Sequence, residues 1–201
     1  MFSFLNAPIR PLRDFASITA GISVTRLPTK KHESQVPVLS LRDVDEEVRP
    51  RKHLATAHAG SDTIARFCVQ TDDVIVTTRG TDIRAAVVRE THNGVIAGAN
   101  LAIVRLDGSL LPALLAAFLR QPQTRATLLR ETAGASTPGF TIKALGDLPI
   151  RVPPLDQQST MAQLIDSAHA YRQAVKRALQ LRDAACNEVI ARALAPGTAR
   201  D

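Results

Sequence analysis

Short apolar runs separated by turn residues dominate the first 110 residues of the chain. Gly80, Asn93-Gly94 and Asp107-Gly108 fall between these runs, where turns need residues that tolerate positive φ. The pattern therefore predicts a β-rich body. The predicted strands are residues 36–41, 73–78, 84–89, 95–97 and 101–106.

Beyond Pro112 the apolar residues follow helical steps. The leucine-rich segments 114–119 and 128–129 predict a pair of helices, and Gln121-Pro122 breaks the pair because proline cannot continue a helix. A flexible stretch, residues 133–139, and a short apolar exit, residues 148–155, follow.

The last 46 residues carry the clearest helix signal. Residues 156–194 contain neither Pro nor Gly, Asp156 can cap the first turn, and Pro196-Gly197 is expected to end the helix. Such a helix is roughly 55–60 Å long at 1.5 Å per residue. One apolar stripe follows steps of three and four residues, with Arg172 and Arg182 interrupting it. The stripe consists of Met161, Ile165, Ala168, Val175, Leu179, Cys186, Val189 and Ala193.

An apolar stripe on a projecting helix needs a partner. Packing back across its own domain is one solution. The length of the helix favours a second long helix, antiparallel or parallel, so that a coiled coil forms.

Charge permits a nucleic-acid partner without establishing one. The net charge is +6, from 25 Lys and Arg against 19 Asp and Glu. Residues 1–155 carry 19 basic and 14 acidic side chains, whereas residues 156–194 carry five and four. A basic domain on a nearly neutral helix suits contact with phosphates, and a modest surplus that only aids solubility explains the charge equally well.

The two cysteines, Cys68 and Cys186, lie far apart and form no metal-binding or disulfide pattern, so both are expected to be buried small hydrophobes. The first eight residues lack the basic and long apolar regions of a signal peptide, and no run of 18 apolar residues occurs, so we expect neither a signal peptide nor a membrane span. These features predict a cytoplasmic protein with no membrane contact.

Motifs that carry chemistry are missing from the sequence. The only Pro-Pro, Pro153-Pro154, lacks both the Asn or Asp before it and the aromatic residue after it that an adenine methyltransferase loop needs. No GxGxxG, GxxxxGK[ST] or HExxH occurs. The acidic run at residues 43–47 is better explained as a solvated turn than as a metal site. We therefore expect no enzymatic activity, no cofactor and no bound metal.

Four segments in register resemble one family, the specificity subunits of type I restriction–modification systems. Residues 72–88 resemble its "GD-hydrophobic-hydrophobic-x-TR-G" segment, and residues 100–105 its "N-L-x-hydrophobic-I-R" strand. Residues 145–158 are similar to its "L-x-x-L-x-hydrophobic-P-x-PPL-x-EQ" exit into a long helix, and residues 12–21 to its domain start.

The chain departs from the family pattern in three ways. Asp72 stands where the family usually has Gly, and Gln157 stands where it usually has Glu. Family members also normally carry two recognition domains and two long helices, whereas this chain has one of each. The resemblance is therefore to a half-size form.

The resemblance implies an α+β fold: a β-rich, barrel-like target-recognition domain (residues 1–155), one long C-terminal spacer and dimerisation helix (156–195) and a tail (196–201). It implies a non-catalytic subunit for phage defence that reads one half of a bipartite site on double-stranded DNA. The expected partners are an adenine-methylating modification subunit and, in full systems, a translocating restriction subunit.

Candidate DNA contacts follow from side-chain chemistry, because Arg and Lys suit guanine and phosphate while Ser and Thr suit adenine and backbone. Arg79 is the first choice; a structural ion pair with Asp82 or Asp73 is an equally good explanation for it. The whole set consists of Thr77, Thr78, Arg79, Gly80, Thr81 and Arg84, then Arg26, Lys30 and Lys31, and finally Ser136, Thr137 and Lys143.

Three hypotheses remain open at this point. The chain homodimerises through residues 156–194, or pairs there with a different half-subunit, and so replaces the missing repeat. Alternatively, it is a non-catalytic interaction adaptor or decoy that keeps the fold without reading DNA. A nuclease or methyltransferase acting alone is disfavoured by the missing motifs.

Overall fold

The structure, a computed structural model, describes residues 7–23, 34–132 and 136–194, and in these ranges the chain is an α+β protein. Its strands are β1 (Ile9–Pro11), β2 (Ala16–Ala20), β3 (Ser34–Leu39), β4 (Ala55–Ala59), β5 (Val74–Thr77), β6 (Ala85–Val87), β7 (Ile96–Ala97), β8 (Leu101–Leu106) and β9 (Pro149–Arg151). Its α-helices are α1 (Ser61–Phe67), α2 (Pro112–Leu119), α3 (Pro122–Leu129), α4 (Ile142–Gly146) and α5 (Leu155–Leu194). The chain divides into two compact units, one up to Ala162 and one from Gln163 onwards.

The strands form three sheets. The largest has the order β2-β8-β5-β6 and is antiparallel, the second has the order β4-β3-β7, and β1 pairs with β9. The predicted α+β class with one long C-terminal helix is confirmed. The sheets do not close into a barrel over the residues that the structure describes.

The two central strands, β5 and β8, are apolar on both faces because the sheet is covered on both sides. Val74 and Val76 pack in a core with α2 and α4, whereas Ile75 points into a second core that includes Leu39 and Val95. A strand buried on both faces reads as a continuous apolar run. This is why the sequence predicted β5 to within one residue at each end and gave β8 its observed bounds.

A pair of glycines lets three strands meet at one end of the large sheet. Gly21 donates a backbone hydrogen bond to the carbonyl of Leu101 (2.8 Å), and Ile22 donates the next one to Ala97 (3.0 Å). A Cβ atom at Gly21 would lie 2.0 Å from the carbonyl oxygen of Gly98, and one at Gly98 would lie 2.3 Å from that of Leu39. Only residues without a side chain permit this approach.

The long helix α5 has 40 residues, which corresponds to about 60 Å. It begins at Leu155, so the prediction that Asp156 caps it is wrong. Asp156 lies within the first turn, where its charge still favours the helix dipole. Pro196-Gly197 lies outside the described residues. No helix in the described ranges has the length and apolar character needed to cross a bilayer.

The predicted stripe of α5 is half-buried at its start and exposed further along. Met161 and Ile165 are half-buried, whereas Val175, Leu179 and Val189 are 41%, 47% and 68% exposed. The other three members, Ala168, Cys186 and Ala193, are exposed as well. Burial of both cysteines was therefore a wrong prediction, since Cys186 is exposed on the stripe and Cys68 is half-buried.

Candidate nucleic-acid interface

The loop that joins β5 to β6 holds most of the predicted contact residues. Thr77 and Arg84 close it: the Thr77 N–H donates to the Arg84 carbonyl (2.9 Å), and the Arg84 N–H donates to Thr77 Oγ1 (2.9 Å). Gly80 adopts φ +102° within the loop, a conformation that favours glycine. The sequence therefore builds a fixed loop at this strand end.

Two other segments flank this loop. The Thr78 N–H donates to the Asn100 carbonyl (2.9 Å), and on the other side the Gly80 N–H donates to the Pro138 carbonyl (2.9 Å). The Phe140 N–H donates back to the Thr78 carbonyl (3.1 Å). The three segments together expose a set of side chains that we call the loop surface: Arg79, Thr81, Asn100, Ser136 and Thr137.

Two predicted groups of candidates are thus brought together. Arg79 and Thr81 belong to the β5–β6 loop, whereas Ser136 and Thr137 belong to a segment 57 residues beyond Arg79. Asn100 was not among the predicted contacts. It is exposed, has φ +64°, and is the last residue of the turn that links β7 to β8. Asn100 stands at the start of residues 100–105, which resemble a strand of the family, and this position is the sequence signal that could have identified it.

Neither of the two acidic residues that could have formed an ion pair with Arg79 does so. Asp82 pairs with Arg125 (2.8 Å), and Asp73 pairs with Arg105. Arg79 is exposed, and its guanidinium makes no hydrogen bond or ion pair within residues 7–23, 34–132 and 136–194. The structural explanation for Arg79 therefore loses its two candidate partners.

The ion pair of Asp73 joins two of the segments that carried the family resemblance. Arg105 donates from Nε and Nη2 to the two carboxylate oxygens of Asp73, both at 2.8 Å. Asp73 is 1% exposed and also accepts from the Gln70 N–H (2.7 Å). The hydrogen bonds from Arg105 to this carboxylate raise the arginine's pKa above its usual value. The pair fixes β8 against the start of β5.

Asp72, which replaces the family's usual glycine, has φ +70°. This region strains most side chains, and Asp and Asn are the non-glycine residues that enter it most readily. The departure from the family pattern therefore keeps the backbone conformation that the position requires.

Several of the predicted DNA contacts are buried in the β5–β6 loop and stabilise its conformation; they do not belong to the loop surface. Thr77 is fully buried and Thr78 is 9% exposed. The Thr77 hydroxyl is used inside the loop, where it accepts from Arg84 and approaches the Asp82 carbonyl (3.4 Å). Arg84 is half-buried. These residues shape the loop from which Arg79 and Thr81 project.

Lys143, the remaining candidate within the described residues, lies beside β1 and β9 and not on the β5–β6 loop. Lys143 is exposed on α4 and pairs with Asp147 (2.6 Å), which also pairs with Arg13. Both basic residues line a groove beside β1 and β9. Arg26, Lys30 and Lys31 lie outside the described residues.

A buried glutamine holds the first turn of α5 to the loop before α2. Gln158 is 0% exposed, and its Nε2 donates to the carbonyls of Ser109 and Pro153, each at 2.8 Å. Its Oε1 accepts from the Leu111 N–H, also at 2.8 Å. All three partners are backbone groups of half-buried residues, and the glutamine side chain satisfies them. This explains physically why a glutamine stands at the end of the exit segment.

The sequence matches no protein-family model and no curated protein. Three solved structures with a similar fold come from type I restriction–modification systems. A chain described under complex assembly and conformational transition of the type I R-M system superposes with a TM-score of 0.65 at 19% identity, over 92% of this chain and 44% of the other.

Two further structures are named as specificity subunits. The HsdS subunit from Thermoanaerobacter tengcongensis matches with a TM-score of 0.57 and 20% identity, over 87% of this chain and 40% of its own. The S subunit from M. genitalium matches with 0.50 and 11%, over 90% and 45%. The chain thus spans less than half the length of each. The resemblance drawn from four sequence segments is confirmed at the level of the fold.

Proposed function

We propose that this chain is a DNA-recognition subunit of a type I restriction–modification system and that it reads one half of a split site on double-stranded DNA. The observation that carries the proposal is the shared fold with specificity subunits, over about nine-tenths of this chain and less than half of theirs. Methylation of the site would belong to a modification subunit, because no catalytic motif occurs in the sequence.

The loop surface is the proposed reading site. A guanidinium such as that of Arg79 can bind the O6 and N7 of guanine together, and an amide such as that of Asn100 can bind N6 and N7 of adenine. Thr81, Ser136 and Thr137 add hydroxyls that suit bases or phosphates. Thr77, Thr78, Gly80 and Arg84 are proposed to hold the loop in shape.

Phosphate contacts are proposed for the remaining basic candidates. Lys143 lies with Arg13 beside one shared carboxylate, Asp147, which lowers their combined charge to +1. Arg26, Lys30 and Lys31 stay predictions from the sequence. Each phosphate contact should steepen the fall of affinity with salt.

The stripe of α5 is proposed to pair with the α5 helix of a second copy or of another half-subunit. Each recognition domain is joined to the N-terminal end of its helix, so an antiparallel pair about 60 Å long would keep two domains apart, as a split site requires. Antiparallel pairing centred on Arg177 would set Ile165 opposite Val189, and Val175 opposite Leu179.

Disulfide trapping tests the direction of pairing. Antiparallel helices would set Ala168 level with Cys186 of the second copy, so Ala168→Cys should form an interchain disulfide on mild oxidation. The double change Ala168→Cys with Cys186→Ser is the control and should stay uncrosslinked. Efficient crosslinking of the wild-type chain through Cys186 alone would indicate parallel helices. A strict monomer in analytical ultracentrifugation, with DNA and the modification subunit present, would contradict pairing altogether.

Discrimination between DNA sequences tests the reading role. Arg79→Ala should reduce the preference for a selected duplex over a scrambled one by about 10- to 100-fold, since one bidentate base contact is worth about 1–3 kcal/mol. Arg66→Ala is the matched control, because Arg66 is exposed on α1 and stacks over Phe67 (5.2 Å) outside the loop surface. Equal discrimination by wild type and Arg79→Ala would favour the adaptor or decoy hypothesis.

A further inference from the structure

The side chain of Arg79 lies across a glycine of the neighbouring segment. Arg79 and Gly139 form an antiparallel backbone bridge. A methyl group at the Gly139 Cα would lie 2.8 Å from Arg79 Cδ and 3.2 Å from Arg79 Nη1. Both distances are shorter than ordinary van der Waals contact, so the path of the arginine side chain depends on a residue without Cβ.

The peptide of Gly139 is held by one hydroxyl. Thr132 Oγ1 accepts a hydrogen bond from the Gly139 N–H (3.0 Å) and donates one to the Gly139 carbonyl (2.6 Å). The Leu129 carbonyl, at 3.3 Å, is the longer alternative for the same hydroxyl hydrogen. The next residue, Phe140, is 7% exposed and belongs to the core that contains α2. Gly139 is therefore held on one side by the Thr132 hydroxyl and on the other by Phe140, which packs in the core.

We propose that Gly139 and Thr132 are positioning residues for Arg79. Glycine leaves the space over which the arginine lies, and the Thr132 hydroxyl keeps that glycine in place. A bidentate contact to guanine needs the plane of the guanidinium to be oriented, and a free arginine side chain loses rotamer entropy when it is fixed. This inference rests on the proposed reading role of Arg79.

Thr132→Val is the informative substitution, because it removes the hydroxyl while keeping the shape of the side chain. Gly139→Ala is less useful, since its methyl group would also lie 2.6 Å from the Thr78 carbonyl oxygen and could prevent folding. Thr132→Ser keeps the hydroxyl and serves as the conservative variant.

The experiment measures the affinity of the full chain for a duplex selected from a random pool and for a scrambled duplex, at several salt concentrations. Thr132→Val should lower the ratio of the two affinities by about tenfold, and Thr132→Ser should restore it. The salt dependence of binding should not change, because no charge has been removed. In the Arg79→Ala background, Thr132→Val should have no further effect on the ratio.

Two results would overturn the inference. One is a Thr132→Val chain that discriminates as well as wild type. The other is an equal loss from Thr132→Val with and without Arg79, because that would show that Thr132 acts independently of the arginine. Equal discrimination by wild type and Arg79→Ala is a separate result. It would remove the proposed function of the loop surface, and the positioning role would fall with it.

Discussion

Replacing Gln158 by Glu should destabilise the fold far more than the same replacement at Gln157. The first change converts a buried amide that donates two hydrogen bonds into a carboxyl that, when ionised, donates none. The Gln157 side chain makes no hydrogen bond within the described ranges, and its Oε1 is buried without a partner. The two neighbours therefore form a matched pair: one identical chemical change in two different environments.

The structure sets the size of the effect. Ionised, the new carboxyl would leave the Ser109 and Pro153 carbonyls unsatisfied and would hold a second oxygen against them at about the present 2.8 Å. Each of the two carbonyls left unsatisfied costs about 1–3 kcal/mol, so a loss of about 2–6 kcal/mol at pH 7 follows. Gln157→Glu should cost less, because it removes no side-chain hydrogen bond and because a negative charge near the helix start is favourable.

The penalty at position 158 should also depend on pH. Burial and the two facing carbonyls favour the protonated carboxyl, so its pKa should be raised in the folded state above the unfolded value. A raised folded pKa means that the folded chain binds the proton more tightly. The variant should therefore be nearest to wild type below about pH 4 and should lose stability as the pH rises towards 7.

Urea unfolding followed by circular dichroism, at equal chain concentrations because pairing contributes to stability, measures these differences. Losses within about 0.5 kcal/mol of each other for the two variants would refute the role given to Gln158. So would a penalty at position 158 that is the same at pH 4 and pH 7.

Substitutions at three other positions, with Gly60 as a control, probe the backbone and the ion pair of Asp73. Gly21→Ala should prevent stable folding, because its Cβ would lie 2.0 Å from a backbone carbonyl oxygen. Gly60→Ala is the control: its Cβ would meet open space, so thermal unfolding should show a loss of less than about 1 kcal/mol. Asp72→Gly should be about 1 kcal/mol more stable than Asp72→Ala, because φ +70° strains alanine; equal midpoints would contradict this. Asp73→Asn should lower the free energy of unfolding in urea by about 1–3 kcal/mol, which is less than for a fully buried pair because the Arg105 side chain is 43% exposed. An unchanged free energy of unfolding would show that the pair is dispensable.

Elements with a strong local pattern were predictable from the sequence. The continuous apolar runs gave β5 and β8, Pro122 gave the break between α2 and α3, and the absence of Pro and Gly gave α5. Strand β3 begins two residues before its predicted start and ends two residues before its predicted end, because the chain enters a 3₁₀ turn at Leu41.

Elements whose stability comes from distant partners were not predictable in this way. Strand β4 reads Ala-Thr-Ala-His-Ala and has little strand propensity of its own, so its pairing with β3 decides its conformation. Strands β1 and β9 are short, contain proline and pair across some 140 residues. No local pattern announces such a pair.

In the candidate site, too, some residues are predictable from a local pattern, whereas others depend on distant partners. Arg79 and Gly80 could be identified from residue type and turn chemistry. The contribution of Ser136 and Thr137 depends on the pairing of Gly80 with Pro138, which sequence spacing does not reveal. Burial of Thr77 and Thr78 follows from their continuation of a fully buried strand, and strand alternation alone would have exposed one of them.

The most direct test of sequence-specific reading is selection of duplexes from a randomised DNA pool by the full chain, alone and with the proposed modification subunit, followed by sequencing. We expect enrichment of a split site with a constant gap, its two halves inverted copies of each other if the chain pairs with itself. Arg79→Ala should erase at least one guanine position from the enriched site. A pool that shows no enriched sequence, although the chain binds DNA, would contradict the account.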